Sequence, residues 1–231
     1  MAVQQTPYQS FLPEVAPHCR GAPEQMVINA IRNACIDFCE RSWIWIYDLD
    51  PFAIAANIQD YTLDASTIPT QSAIAEVLYG YYNGKPIGPI PRDMLEGEFP
   101  NWRTETGTTP KRFFAKDAGT TVSLIPIPNS NISAGGGSPI VPNGATFTVA
   151  LKPTRASTGL PTWIYEKYLE DIAQGATYRM YAMPKKDWTN ANLAGTHKAL
   201  FEDAAANARQ DSSKSFTRGN IRNRASGVAN W

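Results

Sequence analysis

Apolar residues recur at helical spacing in two long stretches that begin just after a proline. The first follows Pro23, and its apolar stripe runs over about residues 24–42. The second begins near residue 162 and is stopped by Pro184, which cannot continue a helix. Each stripe is wide enough to need a partner surface, so both stretches are predicted to be amphipathic helices of a packed core.

A third apolar stripe follows close behind the second. Thr189 or Asn190 is suited to cap its first turn, and the pattern continues to about Asp211. Because helices with apolar stripes bury them by packing on each other, we expect these three helices to come together from the two ends of the chain.

Residues 48–160 show the shorter repeat and the turn residues that are typical of strands. Asn83-Gly84 supplies the positive φ angles of a tight hairpin turn. Residues 129–143 are rich in Ser, Gly, Pro and Asn and predict a long loop. The strand candidates in this range are Phe52–Leu63, Ala73–Tyr82, Lys111–Lys116, Thr121–Ile127 and Ala145–Leu151. The run Trp43–Tyr47, which directly follows the first helix, also suits a strand.

The pattern as a whole predicts an α+β protein with three parts. The first part is a helical bundle built from the N- and C-terminal helices, over residues 1–47 and 161–211. The second is an inserted antiparallel β-domain over residues 48–160, and the third is an extended C-terminal docking tail over residues 212–231. Whether the β-domain is a sandwich or a barrel is left open.

The C-terminal segment has a charge balance of its own. The chain carries 21 Lys and Arg against 21 Asp and Glu, whereas Ser212–Trp231 holds four basic residues and no acidic one. Residues 1–211 therefore carry a net charge of −4. The segment is too polar to bury a core, yet Phe216, Ile221, Val228 and Trp231 are spaced along it as apolar anchors. It is therefore predicted to be a peptide that orders on a partner.

The composition limits the classes of protein to which the chain can belong. With 43% apolar and 18% charged residues the chain is globular, and its neutral net charge argues against coating of nucleic acid. It has no run of eighteen apolar residues for a membrane span and no pattern typical of a signal peptide. We expect Cys19, Cys35 and Cys39 to be free thiols in a reducing compartment.

The sequence shows few patterns typical of catalytic, metal-binding or phosphate-binding sites. His18 with the three cysteines fits no zinc pattern, so no metal site is predicted. Gly135–Ser138 lacks the Lys that a phosphate-binding loop needs. A nucleophilic Cys19 beside His18 is the one enzyme hypothesis, and it has no substrate to propose. We therefore predict no enzyme activity, no catalytic residue and no cofactor.

A carbohydrate-binding module on a virion or enzyme surface is the alternative function from another class. Aromatic side chains form stacking platforms for sugars, but a two-residue repeat puts Tyr79 and Tyr81 on the face opposite Tyr82, so packing is the favoured role. The aromatic residues in question are Trp43, Trp45, Trp102, Tyr79, Tyr81 and Tyr82.

Several short sequence segments, in their order along the chain, resemble the head-to-tail adaptor (connector) proteins of short-tailed, podovirus-like bacteriophages. None of them is a catalytic signature, and their combination is what is specific. The loop over residues 129–143 departs from the family pattern. The strings are Tyr8–Val15, Ala22–Glu24, Ala34–Cys39, Thr109–Phe114, Leu124–Pro128, Gly159–Glu166 and Ala182–Trp188.

The resemblance implies a structural virion protein in the neck between head and tail, assembled in the host cytoplasm. Such adaptors form a ring, typically of twelve subunits, that joins the portal to the tail nozzle. The genomic DNA passes through the lumen of the ring without sequence-specific binding. They commonly extend their C-terminal segments onto the portal protein. The residues expected to contact the portal are Phe216, Arg218, Ile221, Arg222, Arg224 and Trp231.

Overall fold

The computed structural model describes residues 4–64, 66–134 and 144–214. Within these ranges the chain forms five α-helices and eleven β-strands. The helices are α1 (Leu12–Val15), α2 (Glu24–Ser42), α3 (Arg92–Glu98), α4 (Thr162–Tyr181) and α5 (Ala191–Ser213). The strands are β1 (Gln5–Pro7), β2 (Ile46–Asp48), β3 (Asp60–Thr62), β4 (Ser72–Tyr82), β5 (Lys85–Pro89), β6 (Thr106–Gly107), β7 (Arg112–Lys116), β8 (Thr121–Ile125), β9 (Ile127–Pro128), β10 (Ala145–Pro153) and β11 (Gly159–Pro161).

The three long helices lie where the sequence predicts them. The side chain of Asn190, one of the two predicted caps, accepts a hydrogen bond from the backbone N–H of Leu193 at 3.1 Å and so caps α5. The helix α5 continues to Ser213, two residues beyond the predicted end, so the first residues assigned to the tail are helical. The rest of that segment, from residue 215, lies outside the described residues, as do residues 135–143 of the predicted loop.

A curled seven-stranded sheet dominates the rest of the molecule, with strand order β2-β10-β4-β5-β7-β8-β3. The predicted hairpin at Asn83-Gly84 is confirmed, because β4 and β5 pair in antiparallel fashion across it and both residues have positive φ angles. The strand β5 pairs with β7 in parallel, so the sheet is mixed. Two small two-stranded sheets, β1-β11 and β6-β9, complete the pairing in the described residues.

The predicted fold class, a helical bundle with an inserted antiparallel β-domain, is wrong. The sheet is the largest element, and the helices do not form a core apart from it. One continuous core joins helix residues such as Phe38 and Phe201 to sheet residues such as Val77 and Phe147. The helix α2 packs against both α4 and β10 because its apolar stripe is broad enough to serve two surfaces.

Two predicted strands also differ from the structure. In the range Phe52–Leu63 only Asp60–Thr62 is a strand, while Phe52 and Ile54 make isolated bridges. In the range Trp43–Tyr47 the strand begins only at Ile46. Trp43 instead ends α2 in a left-handed conformation, with φ of 50°. Both differences have one cause, because apolar and aromatic runs suit several conformations and long-range packing selects among them.

Candidate functional site

The predicted portal contacts, Phe216 to Trp231, lie outside the described residues. What the structure describes is the base of the segment that carries them. We call this base the tail root and define it as Arg209–Lys214 at the end of α5, together with Trp43 at the end of α2. The root determines where the C-terminal segment leaves the folded part of the protein.

Hydrogen bonds from α5 to the end of α2 fix the tail root. The last carbonyl groups of a helix have no partner within the helix and need donors from elsewhere. The hydroxyl of Ser212, which is almost fully buried, donates to the carbonyl oxygen of Trp43 at 2.7 Å. Arg209 donates from Nη1 to the carbonyl oxygen of Arg41 at 3.4 Å. The two helices are thus joined where both of them end.

A cation–π contact adds to these bonds. The guanidinium carbon of Arg209 lies 3.5 Å from the centre of the Trp43 ring. A positive charge at the C-terminal end of α2 is also favoured by the helix dipole. The Lys167 ammonium pairs with Asp211 at 3.2 Å and connects α4 to the same turn of α5. Three helices therefore hold the point from which the segment departs.

Asp37 on α2 is the centre of a second connection between the helices. Its two carboxylate oxygens accept from Arg179 on α4 and from Arg41 on α2, each at 2.7 Å. Arg41 also reaches Glu202 on α5 at 3.3 Å. Because Asp37 and Arg179 are only one-fifth exposed, their pair is less screened by water than an ordinary surface pair. The network supports a fixed arrangement of the helical layer that carries the root.

The six aromatic residues of the carbohydrate hypothesis do not form one surface. Trp45, Trp102 and Tyr82 are buried, and the ring of Trp43 is covered by Arg209. Tyr79 and Tyr81 alone are exposed, on the face of β4 opposite Tyr82 as the sequence predicts. These positions leave two exposed tyrosines on β4 without the tryptophan platform that the hypothesis required.

Cys19, the candidate nucleophile, has the wrong surroundings for the role. It is buried, and burial raises the pKa of its thiol to about 11, so it is protonated at neutral pH. The Nδ1 atom of His18 lies 3.3 Å from the Tyr181 hydroxyl. All three cysteines are free and buried, and burial raises the pKa of Cys39 to about 12. Across residues 4–64, 66–134 and 144–214 there is no cluster of metal-ligating side chains.

The imidazole of His197 is placed to make stability depend on pH. It contacts Gln174 Oε1 through Nδ1 and packs near Tyr181 and His18, with ring centres 5.4 and 5.7 Å away. Burial, and then the nearby His18, lower the pKa of His197 below its usual value. The unfolded chain therefore binds a proton at higher pH than the folded chain, and stability should fall as the pH drops below about 6.5.

We expect His197→Gln to flatten this dependence between about pH 7 and pH 5. Urea unfolding midpoints measured at half-unit pH intervals test the expectation, with Asn207→Gln on the exposed side of the same helix as the control. An unchanged slope in His197→Gln would contradict it.

The helices α2, α4 and α5 form a layer on the sheet, and the bonds of the tail root hold the end of α5 where the basic segment begins. The family model described as SU10 adaptor protein matches residues 6–224, which is nearly the whole chain. The chain belongs to this family of bacteriophage head–tail adaptors, and the resemblance drawn from its sequence strings is confirmed.

Family membership makes the chain a structural component of a bacteriophage virion that associates with other virion components. No curated protein matches the chain. No helix in the described part of the chain is long and apolar enough to cross a membrane. The tail root itself was not predicted, because Trp43 and Ser212 are far apart in sequence and nothing local marks them as partners.

Proposed function

We propose that this protein is the adaptor that joins the portal to the tail nozzle, as a ring in the neck of the virion. The C-terminal segment docks on the portal, and the contacting residues are Phe216, Arg218, Ile221, Arg222, Arg224 and Trp231. The ring has about as many subunits as the portal, typically twelve, and is assembled in the host cytoplasm. The genomic DNA passes through the lumen of the ring without sequence-specific binding.

The anchored tail root is the observation that carries this proposal. A docking segment is most effective when its first residue is held at a fixed point, because its free end then samples a small volume around the partner. Ser212 and Arg209 hold α5 against Trp43 at the point where the basic segment begins. Four basic residues without any acidic one between 212 and 231 favour an acidic or polar groove on the partner.

The position of the root also supports an orientation for the subunit. The root is held by α2, α4 and α5, so these three helices face the portal in our proposal. The part of the sheet remote from them then faces the tail nozzle. Weak contacts from each segment, repeated around a ring, give strong attachment without a large single interface.

Native mass spectrometry of the full chain mixed with the portal protein from the same genome tests the proposal. At near-physiological salt we expect a discrete complex with about one adaptor per portal subunit, since repeated attachment resists dissociation. Unoccupied portal rings beside unbound adaptor subunits would contradict it. The portal measured alone and the adaptor measured alone are the controls for self-association.

A further inference from the structure

The chain has only two histidines, and the fold brings them together. His18 lies in the turn before α2, and His197 lies in α5, yet their ring centres are 5.7 Å apart. Both rings also pack against Tyr181 at the end of α4, with ring centres 6.3 and 5.4 Å away. We call these three side chains the histidine cluster. The cluster joins the turn over residues 16–22 to α4 and α5.

Each imidazole uses its Nδ1 atom for a contact with α4. The Nδ1 atom of His197 contacts Oε1 of Gln174, which can only accept, so this nitrogen carries a proton. The Nδ1 atom of His18 lies 3.3 Å from the Tyr181 hydroxyl. Burial, and then the nearby Cys19, raise the pKa of Tyr181, so its hydroxyl is neutral at the pH where imidazoles titrate. Both imidazoles therefore have neutral partners.

No negative charge balances the cluster. In the residues that the structure describes, neither imidazole lies within ion-pair distance of a carboxylate. The ammonium group of Lys198, next to His197 on α5, lies 3.9 Å from Glu202. An imidazole ordinarily takes up a proton near pH 6.5, and two protonated imidazoles side by side repel each other. Acid should therefore weaken the contact between the turn and the helices.

The turn over residues 16–22 has few other bonds to the helices. The N–H of Cys19 donates to the carbonyl of Ala16 at 3.1 Å, and the N–H of Ala22 donates to the carbonyl of Cys19 at 3.0 Å. These two bonds close the turn on itself. Within the described ranges, the bond between His18 and Tyr181 is the only hydrogen bond from this turn to α4 or α5. Gly21 has a φ angle of 81°, and an added Cβ there would meet no atom within 4 Å, so the turn has room to move.

Cys19 is the side chain that this turn covers. It is 2% exposed and belongs to the main core, whereas residues 16–18, 20 and 21 are exposed. The chain before the turn is held independently, because Tyr8, Phe11 and Val15 are buried in the same core. A movement confined to residues 16–22 would therefore uncover the Cys19 thiol and leave its neighbours in place.

We propose that the histidine cluster is a pH-sensitive contact that holds the turn over residues 16–22 on α4 and α5 when both imidazoles are neutral, and that releases the turn and uncovers Cys19 when they are protonated. Opening brings His197 into water and separates the two rings, so the open turn takes up a proton more readily than the closed turn. Opening should therefore increase as the pH falls below about 6.5. Burial, and then His18, lower the pKa of His197 in the closed state, which is the direction that this linkage requires.

The pH-sensitive contact is separate from the proposed docking role of the C-terminal segment. His197 lies about 21 Å along α5 from Asp211, which belongs to the tail root. The bonds of the root contain no histidine, so opening of the turn should leave them intact. The outcome of the experiment below therefore does not depend on whether the segment binds the portal.

Labelling of Cys19 at different pH values tests the proposal. The full chain is treated with dithiodipyridine, a disulfide reagent that still reacts with thiols in mild acid, and peptide mass spectrometry identifies the labelled cysteines. The rate at Cys19 is divided by the rate for a synthetic peptide of residues 16–22, which removes the pH dependence of the reaction itself. Between about pH 7.5 and pH 5.5 we expect this ratio to rise by up to about tenfold, the gain from one proton bound only in the open turn.

The two other cysteines are internal controls. Cys35 and Cys39 lie on α2 and are 0% exposed, so their labelling requires unfolding of the core and should stay unchanged over the same pH range. In His197→Gln the rise at Cys19 should be lost. In His18→Gln it should be smaller but present, because the burial of His197 remains. Asn207→Gln, on the exposed side of α5, should behave like the unaltered chain.

Proton NMR of the imidazole rings gives a second measurement, because only two histidines contribute signals. The pKa of His197 should rise in His18→Gln, since a neighbouring positive charge is removed. A labelling ratio at Cys19 that changes by less than about twofold would overturn the proposal. Equal rises at all three cysteines, a full rise in His197→Gln, or an unchanged titration of His197 in His18→Gln would overturn it as well.

Discussion

Truncation of the chain after Lys214 is expected to abolish joining to the portal while the subunit stays folded. The truncated protein keeps the whole tail root, including the bond from Ser212 to Trp43. It loses every proposed portal contact, and with it the gain in attachment from many segments on one ring. We expect the apparent affinity for the portal to fall by about a hundredfold or more, the range that multivalent attachment supplies.

Charge variants of the segment test the contribution of its basic residues. Reversing Arg218, Arg222 and Arg224 to Glu should weaken joining nearly as much as truncation, whereas Lys at all three should retain most of it at low salt. Co-sedimentation of adaptor with portal rings measures both, and circular dichroism confirms that the variants are folded. Normal joining by the truncated protein would refute the assignment of the segment 215–231 to the portal.

Replacement of Phe201 by Ala should give the largest loss of stability of any single change in α5. The ring is 1% exposed and lies among Phe38 of α2 and Tyr178 of α4, with ring centres 6.0 Å away in both cases. It packs directly on Gly175, where an added Cβ would lie 2.5 Å from ring carbons of Phe201. Removing it leaves a cavity where three helices meet, so we expect a loss of about 3–5 kcal/mol in the free energy of unfolding.

Leu200→Ala is the matched control, because Leu200 precedes Phe201 on the same helix and is 50% exposed. It should change the free energy of unfolding by no more than about 0.5 kcal/mol. Urea unfolding followed by far-UV circular dichroism and by tryptophan fluorescence measures both variants. The helices and sheet share one core, so the two signals should change together; separate transitions would contradict that shared core.

Local signals in the sequence were enough to place many elements. The stripe that predicts α2, the cap at Asn190 and the hairpin at Asn83-Gly84 all depend on residues close together in the chain. Their physical causes are helical periodicity, a side-chain acceptor for exposed N–H groups and the ability to adopt positive φ. Strings spread over the whole chain likewise indicate the adaptor family through their combination and order.

The arrangement of those elements could not be predicted in the same way. The parallel pairing of β5 with β7 makes the sheet mixed, and no local pattern near Pro89 predicts that pairing. Trp43 belongs to an aromatic run that suits a strand, yet its backbone turns at the end of α2 and its ring receives Arg209. Both outcomes depend on partners distant in sequence.

The sequence by itself determined the helices, the hairpin, the adaptor family and the basic C-terminal segment. Each of these depends on local periodicity, turn residues, charge or the order of short sequence segments. Only the tertiary structure decided that the helices and the curled sheet share one core, where the basic segment is rooted, and that β5 pairs with β4 on one side and with β7 on the other. These features arise when surfaces far apart in the chain meet, and many pairings of the same elements satisfy the local pattern equally well.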